Sequence, residues 1–180
     1  MACIITAGRS AQCAKNLGGL RNVYIINYDA AATWTIASGE LTAFTASTGY
    51  KFELLNGSTF EETVTSSRDN GTTFYDQVLT LNLNTIDTST SEKVALLAKG
   101  RPRIVVEDNN NNFFFAGLER GCDVTGGTIS RGAAMADKSG YSLTFSATEK
   151  DPAWIINGSG GTGSLSTATA LLSAVGITIG

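Results

Sequence analysis

A chain of 180 residues fits one domain with a sizeable core. Charged residues make up only 16% of it and the formal net charge is -3, where soluble domains usually carry about a quarter charged residues. This mild acidity excludes a nucleic-acid grip built on clustered Lys and Arg, though not a surface that DNA slides past.

The first 20 residues read as a loop-like arm ending in Asn16-Leu17-Gly18-Gly19. Val23-Tyr24-Ile25-Ile26-Asn27-Tyr28 follows, a β-branched and aromatic run that predicts a buried strand. Short strands are expected over 34–36 and 41–45, separated by Ser38-Gly39. Alternation over 50–54 and an extended polar run over 60–66 lead to Arg68-Asp69-Asn70-Gly71, a strong turn signal. Residues 74–83 then form a long strand, with Leu79, Leu81 and Leu83 on one face and Thr80, Asn82 and Asn84 on the other. The result is a long hairpin with a polar tip and a polar outer face.

Ser89-Thr90-Ser91-Glu92 has the form of a capping box and predicts one short helix over about 89–99. Val94, Leu97 and Ala98 supply its apolar stripe, Gly100 its stop, and Pro102 prevents its return. A second hairpin joins 103–107 to 113–118 through Asp108 and four asparagines. A strand begins at Asp123, a small-residue loop spans 130–139, and Tyr141, Leu143, Phe145 and Ala147 alternate with Ser142, Thr144, Ser146 and Thr148. That alternation is the clearest half-buried strand of the chain. From Ala153 onward no residue is charged. This tail reads either as a strand finishing the domain's own sheet or as an arm, 157–180, that docks on a neighbouring copy. Its removal, or replacement of 68–71, is expected to impair assembly and leave the monomer folded.

The chain has no histidine. That removes Ser-His-Asp and Cys-His catalysis and His-ligated zinc together. The glycines match neither a dinucleotide fingerprint nor a Walker loop. Glu61-Glu62 and Glu107-Asp108 are strand neighbours whose side chains point to opposite faces, so neither pair shares a site. Asp108, Asn110, Asn112 and Glu119 have EF-hand spacing, but Phe113 stands where that loop needs glycine, and the segment reads as a hairpin turn. Cys3, Cys13 and Cys122 form no CxxC pair and read as inert thiols. No enzyme activity, metal or cofactor is expected. Without an apolar stretch near the roughly 20 residues of a membrane span, and without a leader-like start, the expectation is cytoplasmic synthesis and no membrane insertion.

The order of elements, with FEETVTSSRDNGTTFYDQVLTLNL before the helix and GRPRIVVEDNNNNFFFAGLERGCDVTGG and SGYSLTFSATEKDPAWII after it, resembles the tail-tube (major tail) protein family of long-tailed bacteriophages. The same stretches are similar to small virion proteins of phages infecting Bacteroidetes. The resemblance covers roughly residues 50–156. It implies an antiparallel β-sandwich or small barrel over 1–156, with one flanking helix and extended N- and C-terminal arms. It also implies a structural virion protein that forms six-membered rings stacking into a tube for DNA ejection. Its partners would be further copies of itself, other tail or neck proteins, and DNA in transient passage. By the same resemblance Arg68, Asp69, Asn70 and Gly71 would reach the next ring, and Asp137 and Lys138 would lie between subunits. Glu61, Asp76, Thr80 and Asn82 would face a hydrophilic, neutral-to-negative lumen. Two alternatives stay open: a neck, terminator or adaptor protein forming a single ring, and a host- or glycan-binding β-domain.

Overall fold

The structure is a computed structural model that describes residues 8–9, 17–54, 57–156 and 168–180. Its strands are β1 (Leu20–Ile26), β2 (Trp34–Ala37), β3 (Glu40–Phe44), β4 (Ser47–Glu53), β5 (Thr59–Ser67), β6 (Thr72–Asn84), β7 (Arg103–Asp108), β8 (Phe113–Ala116), β9 (Asp123–Ser130), β10 (Gly140–Glu149), β11 (Trp154–Ile156) and β12 (Ile177–Ile179). Two helices, α1 (Thr88–Leu97) and α2 (Ala168–Ala174), complete the set. The protein is mainly β, as expected. An eight-stranded sheet ordered β12-β4-β1-β7-β8-β11-β3-β2 curls into a half-barrel beside a four-stranded antiparallel sheet ordered β5-β6-β10-β9.

Alternation decides how these layers stack. On β1, Val23 and Ile25 point toward the four-stranded sheet, where Ile104, Val106, Leu79, Leu81, Tyr141, Leu143 and Phe145 share one core with them. Tyr24 and Ile26 point the other way, into a second core with Val105, Phe113, Phe115, Leu171, Leu172 and Ile177. The consecutive apolar residues of β1 and β7 thus cover two cores, as expected of strands buried on both faces. The β2–β3 hairpin turns through Ser38 and Gly39, both with positive φ, the backbone of a two-residue hairpin turn.

One expectation is corrected. Helix α1 begins at Thr88, and its N-cap is Asp87, whose carboxylate accepts the Thr90 amide and hydroxyl. Those bonds hold the Asp87 carboxyl below its usual range. Asp87 caps where Ser89 was expected to, because the helix starts at Thr88 and Ser89 already lies inside its first turn. Of the two readings of the C-terminal segment, the described part follows the first, a strand that finishes the domain's own sheet. Helix α2 buries Leu171 and Leu172, and β12 pairs in parallel with β4, so residues 168–180 close the domain's own second core. The 1–16 part of the predicted N-terminal arm, apart from residues 8–9, lies outside the described residues, as does 157–167 of the tail. Residues 17–18 are tied to the 108–112 turn: Asn110 exchanges hydrogen bonds with the Leu17 amide and carbonyl, and Asn109 donates to the Gly18 carbonyl.

The turn between α2 and β12 depends on Gly176. Its φ is 100°, and a β-carbon there would stand 2.4 Å from the Phe44 carbonyl oxygen. Gly176→Ala is expected to cost about 2 kcal/mol or more, from backbone strain and the forced separation of α2 from the β3 end. A urea titration showing less than half that loss would mean this turn relaxes freely.

Candidate functional site

Register places the ten residues singled out in the sequence. Glu61 pairs with Val78, Thr80 with Thr59 and Thr144, Asp76 with Thr63 and Thr148, and Asn82 with Ser142. In an antiparallel sheet, directly opposed residues share a face. Glu61, Asp76, Thr80 and Asn82 therefore stand together on the face turned away from both cores. Around them are Thr59, Thr63, Thr65, Ser142, Thr144, Ser146, Thr148 and Thr128, with Phe74 and Val78 interrupting the polar run. Asp123, opposite Ser146, adds a third carboxylate.

The four strands β5, β6, β9 and β10 contain no Lys or Arg. Nearby cations come from outside the sheet: Arg101 pairs with Asp123 at 3.0 Å, and Lys138 donates to Asn82 Oδ1 at 2.5 Å. Asn82 also donates to the Gly57 carbonyl, and Thr148 to Asp76 at 2.7 Å. The result is a hydroxyl- and amide-coated surface that leans negative. Phosphates find hydrogen-bond partners on it but no strand-borne cation to hold them.

Arg68, Asp69, Asn70 and Gly71 form the exposed turn of the β5–β6 ribbon, with the Asn70 amide donating to Ser67 Oγ and Gly71 to the Arg68 carbonyl. No residue from 61 to 76 is buried, so the ribbon projects beyond the core. Asp137 is exposed, but its Oδ2 accepts the Ala133 and Ala134 amides, both at 2.8 Å, which stabilises the charged carboxylate and lowers its pKa. It therefore shapes its own loop, while its neighbour Lys138 links that loop to the polar face.

Sequence reasoning missed the buried polar groups. Arg103, 1% exposed, donates to the carbonyls of Leu118 at 2.8 Å and Asp29 at 2.9 Å. Its guanidinium lies over the rings of Tyr28, Phe44 and Trp34. Glu107 accepts from Asn22 at 2.6 Å and Tyr24 at 2.8 Å; burial, and then that carboxylate, raise the Tyr24 phenol well above its ordinary range. Glu149 accepts the Glu119 and Arg120 amides, and burial raises its carboxyl. Gln77 accepts the Gly117 amide at 2.9 Å. Each of these groups is satisfied by the fold around it, as buried polar atoms require. Burial pushes the Cys122 thiol up to about 12, which makes it inert at neutral pH; Cys3 and Cys13 lie outside the described residues.

The EF-hand-like spacing resolves as a turn. Asp108 accepts the amides of Asn110 and Asn112 and both of their side-chain amides, so the three residues satisfy one another. Among the described residues no group of His, Cys, Asp and Glu is placed to hold a metal ion, and no helix is long and apolar enough to cross a membrane.

The fold is thus that of a mainly β, two-sheet domain with a projecting ribbon and an outer sheet face whose strands carry no Lys or Arg. Set against protein-family models, characterised proteins and solved structures, the chain finds no significant match.

Proposed function

We propose that the protein is a structural subunit that assembles into rings around an open lumen, and that the rings stack as the tail tube of a bacteriophage. The observation carrying this reading is the outer face of the four-stranded sheet, wide, polar, slightly acidic and without a Lys or Arg on any of its strands. A conduit for DNA needs such a wall, because each fixed cation would capture a phosphate and slow passage.

The sheet's edges support the same reading. Its order β5-β6-β10-β9 is antiparallel throughout, so it ends on two strands of opposite direction, nine and eight residues long. Copies related by rotation would place β9 of one beside β5 of the next as an antiparallel pair. Neither edge carries the Lys or Pro that commonly blocks such pairing. Closing the ring leaves the four-stranded sheet no open edge and turns its polar face inward.

The lumen assignment is testable through charge. Assembled Thr80→Lys/Thr144→Lys protein is expected to retain short double-stranded DNA at low salt and release it as salt rises, whereas the parent assembly retains none. Filter binding or co-sedimentation reads the difference. Equal retention by the two would remove this face from the lumen.

A further inference from the structure

The turn that closes the β5–β6 ribbon places glycine directly after an asparagine, Asn70-Gly71. Two other such pairs occur, at 56–57 and 157–158, and their asparagines lie outside the described residues. Glycine suits this turn because its φ of 62° costs a residue without a β-carbon nothing. The same missing β-carbon leaves the Gly71 nitrogen unshielded. That nitrogen and the Asn70 side-chain carbonyl carbon are spaced to close a five-membered ring.

The fold does little to keep the two apart. All of Arg68, Asp69, Asn70 and Gly71 are exposed. Among the described residues Asn70 is hydrogen-bonded through its backbone amide, to Ser67 Oγ, and its side-chain amide is left to water. The side-chain amides of Asn22, Asn82, Asn109, Asn110 and Asn112 are instead tied to Glu107, the Gly57 and Gly18 carbonyls and Asp108. The Gly71 amide donates to the Arg68 carbonyl at 3.3 Å, longer than a strong N–H···O bond. A β-carbon built on Gly71 would meet nothing within 4 Å, so solvent reaches the turn from that side.

We propose that Asn70 is a site of spontaneous deamidation. The Gly71 nitrogen attacks Asn70 Cγ and an N–Cγ bond forms. The Cγ–Nδ2 bond breaks, and ammonia leaves with the proton of the Gly71 amide. Water then opens the resulting succinimide. Breaking the new N–Cγ bond gives aspartate, and breaking the original peptide bond gives isoaspartate, with the main chain rerouted through the side chain. Either product adds a carboxylate beside Asp69, so a turn holding Arg68 against Asp69 passes from neutral to a single negative charge. Isoaspartate also lengthens the main chain by a methylene just above the Ser67–Thr72 pair and the Ser66–Thr73 hydroxyl bond. The damage stays local, because no residue from 61 to 76 is buried. The inference rests on the turn itself and is independent of the reading of the protein as an assembling subunit.

Peptide mapping by mass spectrometry of the folded chain, aged at neutral and at mildly alkaline pH, tests it. A one-dalton gain is expected at Asn70, split between two isobaric products that electron-transfer fragmentation separates. It should grow faster at the higher pH, where more of the Gly71 amide is deprotonated, and outpace any gain at Asn22, Asn82, Asn109, Asn110 or Asn112. Asn70→Gln, which would have to close a larger ring, should abolish the gain at that position. Gly71→Ala, which crowds the attacking nitrogen, should slow it by about tenfold or more. The urea midpoint of the aged chain should match that of the fresh one. An Asn70 still intact in the folded chain when the denaturant-unfolded chain has lost half of its own would overturn the proposal. Equal rates in the parent and Gly71→Ala would overturn it too.

Discussion

Arg103→Ala is expected to destabilise the domain by about 3–5 kcal/mol, the loss of a large buried side chain together with the buried Leu118 carbonyl deprived of its guanidinium donor. Arg103 is the largest fully buried side chain among the described residues. Among the described residues no carboxylate lies within ion-pair distance of it; the carbonyls of Asp29 and Leu118 and three aromatic rings hold it instead. Burial lowers its pKa, yet an arginine begins so high that it stays charged. Arg103→Lys keeps the charge but loses the planar fork that reaches two carbonyls at once, and should cost about 2 kcal/mol. Urea unfolding followed by tryptophan fluorescence suits both variants, since Trp34 is one of the caging rings. A loss under about 1 kcal/mol for Arg103→Ala would mean that water replaces the guanidinium at no cost, and the cage would then be incidental to folding.

Removing residues 168–180 is expected to abolish cooperative folding. The segment inserts Leu171, Leu172, Val175 and Ile177 into the second core, all 2% exposed or less. Each such side chain is worth about 2–4 kcal/mol with its cavity, and together they match the whole stability of an ordinary domain, about 5–15 kcal/mol. The truncation also strips β12 from β4 and exposes the Tyr24, Phe113 and Phe115 face to water. Circular dichroism across a thermal ramp separates the outcomes. A broad, non-cooperative signal is the expected result. A sharp transition near that of the full chain would return the segment to the status of a dispensable arm. The single change Leu172→Ala, at a fully buried position, should lower stability by about 3 kcal/mol and give a graded version of the same test.

The contrast between this segment and the rest shows what a sequence displays and what it hides. Strands β6 and β10 were legible because each buries one face, and period-two alternation of Leu79, Leu81 and Leu83, or of Tyr141, Leu143 and Phe145, records that directly. Alternation also put Thr80 and Asn82 on the face opposite the leucines, whereas their grouping with Glu61 and Asp76 was implied by the resemblance and takes the β5–β6 register to establish. The place of 168–180 is a long-range fact: its uncharged residues fit any apolar surface, and period and propensity do not name which one. One signal was present. The unbroken run Val23-Tyr24-Ile25-Ile26 requires cover on two faces, and the four-stranded sheet supplies only one. The helix start was displaced from Ser89 to Asp87 because both residues have capping side chains, and only three-dimensional geometry chooses between them. Buried Arg103, Glu107 and Glu149 were illegible for a related reason. A charge on a strand reads as surface until its partners are in place: carbonyls that accept from Arg103, side chains that donate to Glu107 and backbone amides that donate to Glu149.

Negative-stain electron microscopy of the purified chain over a concentration series tests the central claim most directly. The account predicts rings of uniform diameter with an open centre that stack end to end as concentration rises. Particles that remain compact monomers at every concentration, or aggregates without a lumen, would contradict it.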